Sequence, residues 1–179
     1  DARVALLMQE SGLSLAASDG AQAVIPFSQG LLGGGLDPLS AAKALEPLLT
    51  STRRLILFNA KRLKTELAPW DLAVTAPFDD DQIMQYLIAP QSGKYEAPEN
   101  AAALFTRTLS DEQTLDAQEM SRLYREIELP LLDTLYAMES DGFLVDRDEL
   151  AQLGAQYDAQ IADLKEEIFS LCGCAPFNL

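Results

Sequence analysis

Apolar positions change period along this chain, and the changes predict its elements. Arg3 to Met8 (RVALLM) is a nearly unbroken apolar run, the pattern of a buried strand. Gly12 to Ala17 (GLSLAA) and Ala23 to Phe27 (AVIPF) form two further strand candidates, with Asp19-Gly20 between them as a hairpin turn signal. A helix is expected over Pro38 to Leu49, with Pro47 near its end, then a strand over Arg54 to Phe58 and a short helix over Lys61 to Leu67. Pro69-Trp70 opens a connection to a brief strand, Asp71 to Thr75. Asp79, Asp80 and Asp81 crowd the start of a helix over Gln82 to Ile88, where their charge suits the positive end of the helix dipole. Pro90 to Pro98 reads as a connector, and helix returns from Glu99 to Leu109 and again from about Leu115.

The period of three and four dominates the remainder. Leu123, Ile127, Leu131, Leu135 and Met138 share one helical face, which Pro130 interrupts; a kink or tight turn is expected there. Gly142 can close the helix in the left-handed conformation, and Phe143-Leu144-Val145 reads as a short extended run. Asp146 with Glu149 is an Asp-led capping box opening a second helix. Leu150, Leu153, Tyr157, Ile161, Leu164, Ile168 and Leu171 form its seam. Strands alternate with helices in the first half and helices fill the second, so the fold class is α/β or α+β followed by helices.

Composition narrows the function. The chain has 179 residues, 48% of them hydrophobic, enough for a real core. No apolar run reaches the roughly eighteen residues that would span a bilayer, so no membrane role is expected. The net charge is −15, and it is uneven: residues 1–93 carry −3 and residues 94–179 carry −12. Strong binding to phosphates draws on Lys and Arg, so this balance opposes tight DNA binding by these residues themselves. Arg53, Arg54, Lys61, Arg62 and Lys64 are the weak candidates for a DNA-contacting patch. Gln29 to Asp37 holds four glycines but lacks the Lys-Ser/Thr of a phosphate loop, so a flexible surface loop is expected. Cys172 and Cys174 lack the further ligands of a zinc site, as there is no His, and two reduced thiols of a cytoplasmic protein are expected.

The order of residues in the second half is more specific than its period. Ile127-Glu128 with Pro130, Met138-Glu139 with Gly142, Phe143 to Asp146, and the terminal Phe177-Asn178 resemble the start of the polymerase domain in family A DNA polymerases, the bacterial DNA polymerase I family. That resemblance implies a piece of a longer DNA-directed DNA polymerase of replication and repair. It implies a helical beginning of the polymerase domain over 115–179, and DNA, Mg²⁺ and the remainder of the polymerase domain as the parent's partners. None of the family's polymerase motifs occurs before Leu179. Self-association through the seam is a further expectation.

Residues 1–114 sit where that family carries a proofreading domain, a ribonuclease-H-like 3′–5′ exonuclease with a mixed sheet and flanking helices. Phe58-Asn59-Ala60-Lys61 resembles the entry to its second motif, and Pro77-Phe78-Asp79 resembles the start of the helix that follows. The family holds two metal ions with an Asp-x-Glu on the first strand, an Asp four residues past that Asn, and a Tyr-x-x-x-Asp on a later helix. Here the first motif falls on Met8-Gln9-Glu10 and the second on Leu63. For the third, Tyr95 and Glu99 have the spacing, while a gap-free match puts Asn100 at the Asp position. A Met and a Leu cannot hold a hard cation, so no catalytic residue and no metal site is expected, with Glu10 a relic. The alternative is a working exonuclease with other carboxylates in the site. Asp79, Asp80 and Asp81 are weighed as replacement ligands, but adjacent helical residues point about 100° apart, and helix capping is favoured.

Overall fold

The computed structural model describes residues 3–28 and 34–173. The chain divides into two compact units, Asp1–Asp141 and Gly142–Leu179. Gly30 and Gly33 of the glycine-rich stretch, Cys174 and the terminal Phe177-Asn178-Leu179 lie outside the described residues.

The apolar run at the start becomes the middle strand of a sheet. Strand β1 (Val4–Gln9) pairs antiparallel with β2 (Gly12–Ala17), and β2 pairs antiparallel with β3 (Gln22–Pro26). On its other side β1 runs parallel to β4 (Leu55–Leu57), which runs parallel to β5 (Phe78–Asp80), giving the order β3-β2-β1-β4-β5. The mixed five-stranded sheet with helices around it is the α/β class expected. Alternation along β1 explains its unbroken apolar sequence. Val4 and Leu6 face a core with Leu13, Leu55, Leu57, Leu63 and Leu67, while Ala5 and Leu7 face a second core with Ile56, Ala101 and Leu104. The hairpin forms where Asp19-Gly20 predicts it. Gly20 takes φ 89°, and the Asp19 carboxylate accepts from the Ala21 amide at 2.9 Å.

Helices α1 (Pro38–Ala44), α2 (Glu46–Leu49) and α3 (Ala60–Leu67) belong with the first core. Helix α4 (Asp81–Ile88) follows β5 directly. Helix α5 (Ala101–Ala117) contributes Ala101 and Leu104 to the second core and is one continuous helix where two were expected.

Three local expectations are corrected. No strand forms over Asp71 to Thr75; the strand is Phe78–Asp80, whose two acids disguise it. The apolar alternation of Leu72, Val74 and Ala76 comes from a loop that buries all three. Pro130 causes no turn: helix α6 (Ser121–Leu123) runs through a π-helical stretch, Tyr124–Glu128, into α7 (Leu129–Asp141). There the Leu129 amide bonds back to the Tyr124 carbonyl, and the widened turn makes room for a proline that has no amide hydrogen to give. The extra residue in that turn also changes which face packs. Tyr124 and Leu132 are buried, while Ile127, Leu131, Leu135 and Met138 of the expected face are exposed.

The second unit is chiefly helix α8 (Arg147–Cys172). The Asp146 carboxylate accepts from the amides of Asp148 and Glu149, both at 3.0 Å, as the capping pattern predicts. Phe143 to Val145 form no strand. The seam residues Leu150, Tyr157, Ile161, Leu164 and Ile168 are all exposed. Cys172 is disulfide-bonded, which corrects the expectation of a reduced thiol there; Gly173, at φ 62°, turns the chain sharply just beyond it.

Candidate functional site

Parallel strands β1 and β4 end on the same edge of the sheet, the edge where open α/β sheets place their ligands. Beyond those two ends lies a cleft of about 250 Å³. Its walls come from Met8, Gln9 and Glu10 at the end of β1, Phe58 and Asn59 after β4, and Arg62, Leu63 and Glu66 of α3. The fold therefore brings together Met8, Glu10, Asn59 and Leu63, which the sequence places far apart. Tyr95 and Asn100 serve elsewhere. The Tyr95 hydroxyl donates to the Ala89 carbonyl at 2.9 Å, and the Asn100 side chain caps α5 through the Ala103 amide at 2.9 Å. Glu99 is exposed.

Met8 offers a thioether and Leu63 nothing, and both are soft or apolar where a hard divalent cation needs oxygen. Asn59 has spent its side-chain oxygen as the N-cap of α3, accepting from the Arg62 amide at 3.0 Å. Glu10 is an exposed carboxylate. Arg62 adds a permanent positive charge to the wall, with its Nε 2.7 Å from Glu66, and Glu66 and Glu10 both raise its pKa. One carboxylate pair sharing a guanidinium is not a two-metal site, and the residues present do not fit a pair of Mg²⁺ ions. Among the described residues no group of three or more His, Cys, Asp or Glu stands close enough to hold a metal.

The three consecutive aspartates lie apart from that cleft and are buried. Asp81 accepts from the Thr108 hydroxyl at 2.9 Å and from the Arg107 guanidinium, whose Nε lies 3.0 Å away, and so pins α4 to α5. Asp80 accepts from the Ala60 amide at 2.6 Å and the Ile83 amide at 3.2 Å, capping α3 and α4 with one carboxylate. Burial pushes its pKa up to about 6 despite those amides. Asp79 pairs with Arg54 at 3.0 Å through one oxygen, while the other is buried without a partner among the described residues. The capping role favoured for this run holds for Asp80. The burial of all three was not foreseen, and Tyr124, whose hydroxyl accepts from the Asp80 amide at 2.8 Å, carried no sequence signal of that role.

Four of the five basic candidates are paired with acids of the chain. Arg54 is bound to Asp79 and the Phe78 carbonyl, Lys61 to Glu139, Arg62 to Glu66, and Lys64 to Asp133. Lys64 also lies over the rings of Phe78 and Tyr136. Arg53 is exposed. Arg62, a candidate phosphate contact by sequence, is instead paired with Glu66, and their spacing of four is the sequence sign of that ion pair.

No family model matches the chain. Among curated proteins it is 39% identical over 92 residues to DNA polymerase I of Chloroflexus aurantiacus, covering 50% of this chain and 9% of that protein. It is 30% identical over 157 residues to the thermostable DNA polymerase I of Thermus thermophilus, covering 80% of this chain and 18% of that protein. A solved structure, the polymerase domain of Pol1 from M. smegmatis in complex with DNA primer-template and dNTP, matches with a TM-score of 0.67 and 23% identity. That match covers 97% of this chain and 34% of the solved one, and it bears on the fold. The chain spans less than a fifth of the length of the curated relatives it matches. Over that segment, the chain is a relative of bacterial DNA polymerase I.

Proposed function

We propose that this chain serves a DNA-directed DNA polymerase of replication and repair as a metal-free proofreading-type domain, residues 1–114, joined to the helical beginning of a polymerase domain, residues 115–179. The first part is a scaffold. DNA and Mg²⁺ are engaged by the polymerase domain proper, in the cytoplasm. A boundary of descent at 114 need not coincide with a boundary of compactness, because Tyr124 and Leu132 are buried in the first unit.

One observation carries the reading. At the cleft where a metal-dependent exonuclease needs converging carboxylates, this chain presents a thioether, an isobutyl group and a guanidinium beside Glu10 and Glu66, and Glu66 is paired with that guanidinium. A guanidinium repels the cations that two-metal hydrolysis requires and supplies no base to activate water. Exonuclease assay on a labelled single strand with Mg²⁺ or Mn²⁺ tests it. Cleavage indistinguishable from a no-protein control is expected. Metal-dependent shortening from the 3′ end that Glu10→Gln abolishes would show a working exonuclease instead.

A further inference from the structure

We propose that a groove between residues 74–78 and the start of α7 receives the C-terminal end of a partner polypeptide. Arg54 holds the terminal carboxylate there, and the last apolar side chain rests on the groove floor. The groove shares no wall with the cleft beside Glu10.

Its volume is about 400 Å³, toward the small end of the range in which proteins hold ligands. Val74, Ala76 and Phe78, all buried, make an apolar floor, and Leu129 and Pro130 at the start of α7 add an apolar wall. The charged groups of the lining are Arg54, Lys64 and Asp133, so the groove is net positive in a chain of net charge −15. Asp133 is engaged with Lys64, whose ammonium also lies 5.1 Å from the centre of the Phe78 ring. A second positive charge is thus held beside the floor.

Arg54 is the group with donors to spare. Its Nη1 is anchored to the Phe78 carbonyl at 3.2 Å and to Asp79 at 3.0 Å, while its Nε and Nη2 make no hydrogen bond among the described residues. Those two nitrogens form an edge of the guanidinium that can take a carboxylate through two parallel hydrogen bonds. The side chain is 45% exposed, so a ligand can reach it. With Nη1 already fixed, little rotamer freedom remains to be lost on binding.

Other ligands use only part of this arrangement. Nucleic acid needs several cations on one surface, and here a single guanidinium edge is open. A small inorganic anion would leave the apolar floor unused, and a purely apolar ligand would leave the Arg54 donors without a partner. A chain end carries a carboxylate directly beside its last side chain and engages both.

NMR and calorimetric titration of the whole chain with acetyl-Ala-Leu-Phe, once with a free C-terminus and once amidated, tests this. The acid should bind at least about tenfold more tightly than the amide, with shifts at the Thr75 and Phe78 amides and at the Arg54 Nε–H. Arg54→Lys keeps the charge beside Asp79 but loses the planar fork, and should weaken the acid about tenfold without affecting the amide. Arg53→Gln, at the exposed neighbour, should change the acid by no more than about twofold. Equal binding of acid and amide, no binding of the acid at about 1 mM, or shifts confined to other surfaces would overturn the proposal. So would displacement of the peptide by an equal concentration of a single-stranded oligonucleotide, which would assign the groove to phosphate. Should Arg54→Lys fail to fold, the comparison of acid with amide on the unaltered chain decides alone.

Discussion

Asn59 carries two backbone duties at one position. It sits at φ 55° and ψ 63°, the left-handed region that Asn tolerates better than most side chains, and its oxygen caps α3. Its place in the Phe58-Asn59-Ala60-Lys61 run is thus explained by the turn from β4 into α3, with no appeal to catalysis. Asn59→Ala should lose both the cap and the conformational tolerance, costing about 2 kcal/mol, while Asn59→Gly keeps the tolerance and costs less. Urea unfolding of the two variants checks this; an alanine variant as stable as the parent would contradict it. That Met8, Glu10, Asn59 and Leu63 meet in one cleft was legible because the motif spacing holds through that turn. Arg62 was not, since a surface cation and one that points into a cleft look alike in sequence.

At the scale of elements, Asp80 joins three of them. Its carboxylate ends β5 and caps both α3 and α4. The pKa moves from 3.8 to about 6 because burial outweighs the amide hydrogen bonds. The folded state therefore holds the Asp80 proton more tightly than the unfolded state. Its contribution is fully present below about pH 4 and is lost as pH rises through about 6, for a total of about 3 kcal/mol. Chemical unfolding across that window should show stability falling with rising pH by more in the parent than in Asp80→Asn; parallel curves would refute the assignment. Two elements whose period matches their burial were legible, β1 between its two cores and the hairpin, and α8 was legible from its Asp146 cap although its apolar seam is exposed. Strand β5 was not, because its two aspartates are paid for by contacts from distant segments, Ala60, Arg54 and Tyr124, which local pattern cannot reveal. The face of α7 was misplaced for a similar reason. A π turn shifts the register by one residue, and periodicity counts assume an unbroken helix.

Across the whole molecule, charge and its distribution limit what these residues can grip. The net charge is −15, and four of the five basic candidates are held by acids of the chain itself. Screening beyond about 8 Å at physiological salt weakens the repulsion but supplies no attraction. Fluorescence anisotropy with a labelled primer–template should give a Kd no tighter than about 10⁻⁴ M, and micromolar binding would contradict the scaffold account. The central claim concerns the cleft beside Glu10, where the side chains do not suit a pair of divalent cations. Titration with Mn²⁺ followed by electron paramagnetic resonance reads that most directly. The account predicts free Mn²⁺ signal falling no faster than for Glu10→Gln, with no spin-coupled pair. Two Mn²⁺ bound per chain, coupled to each other and lost on Glu10→Gln, would contradict it.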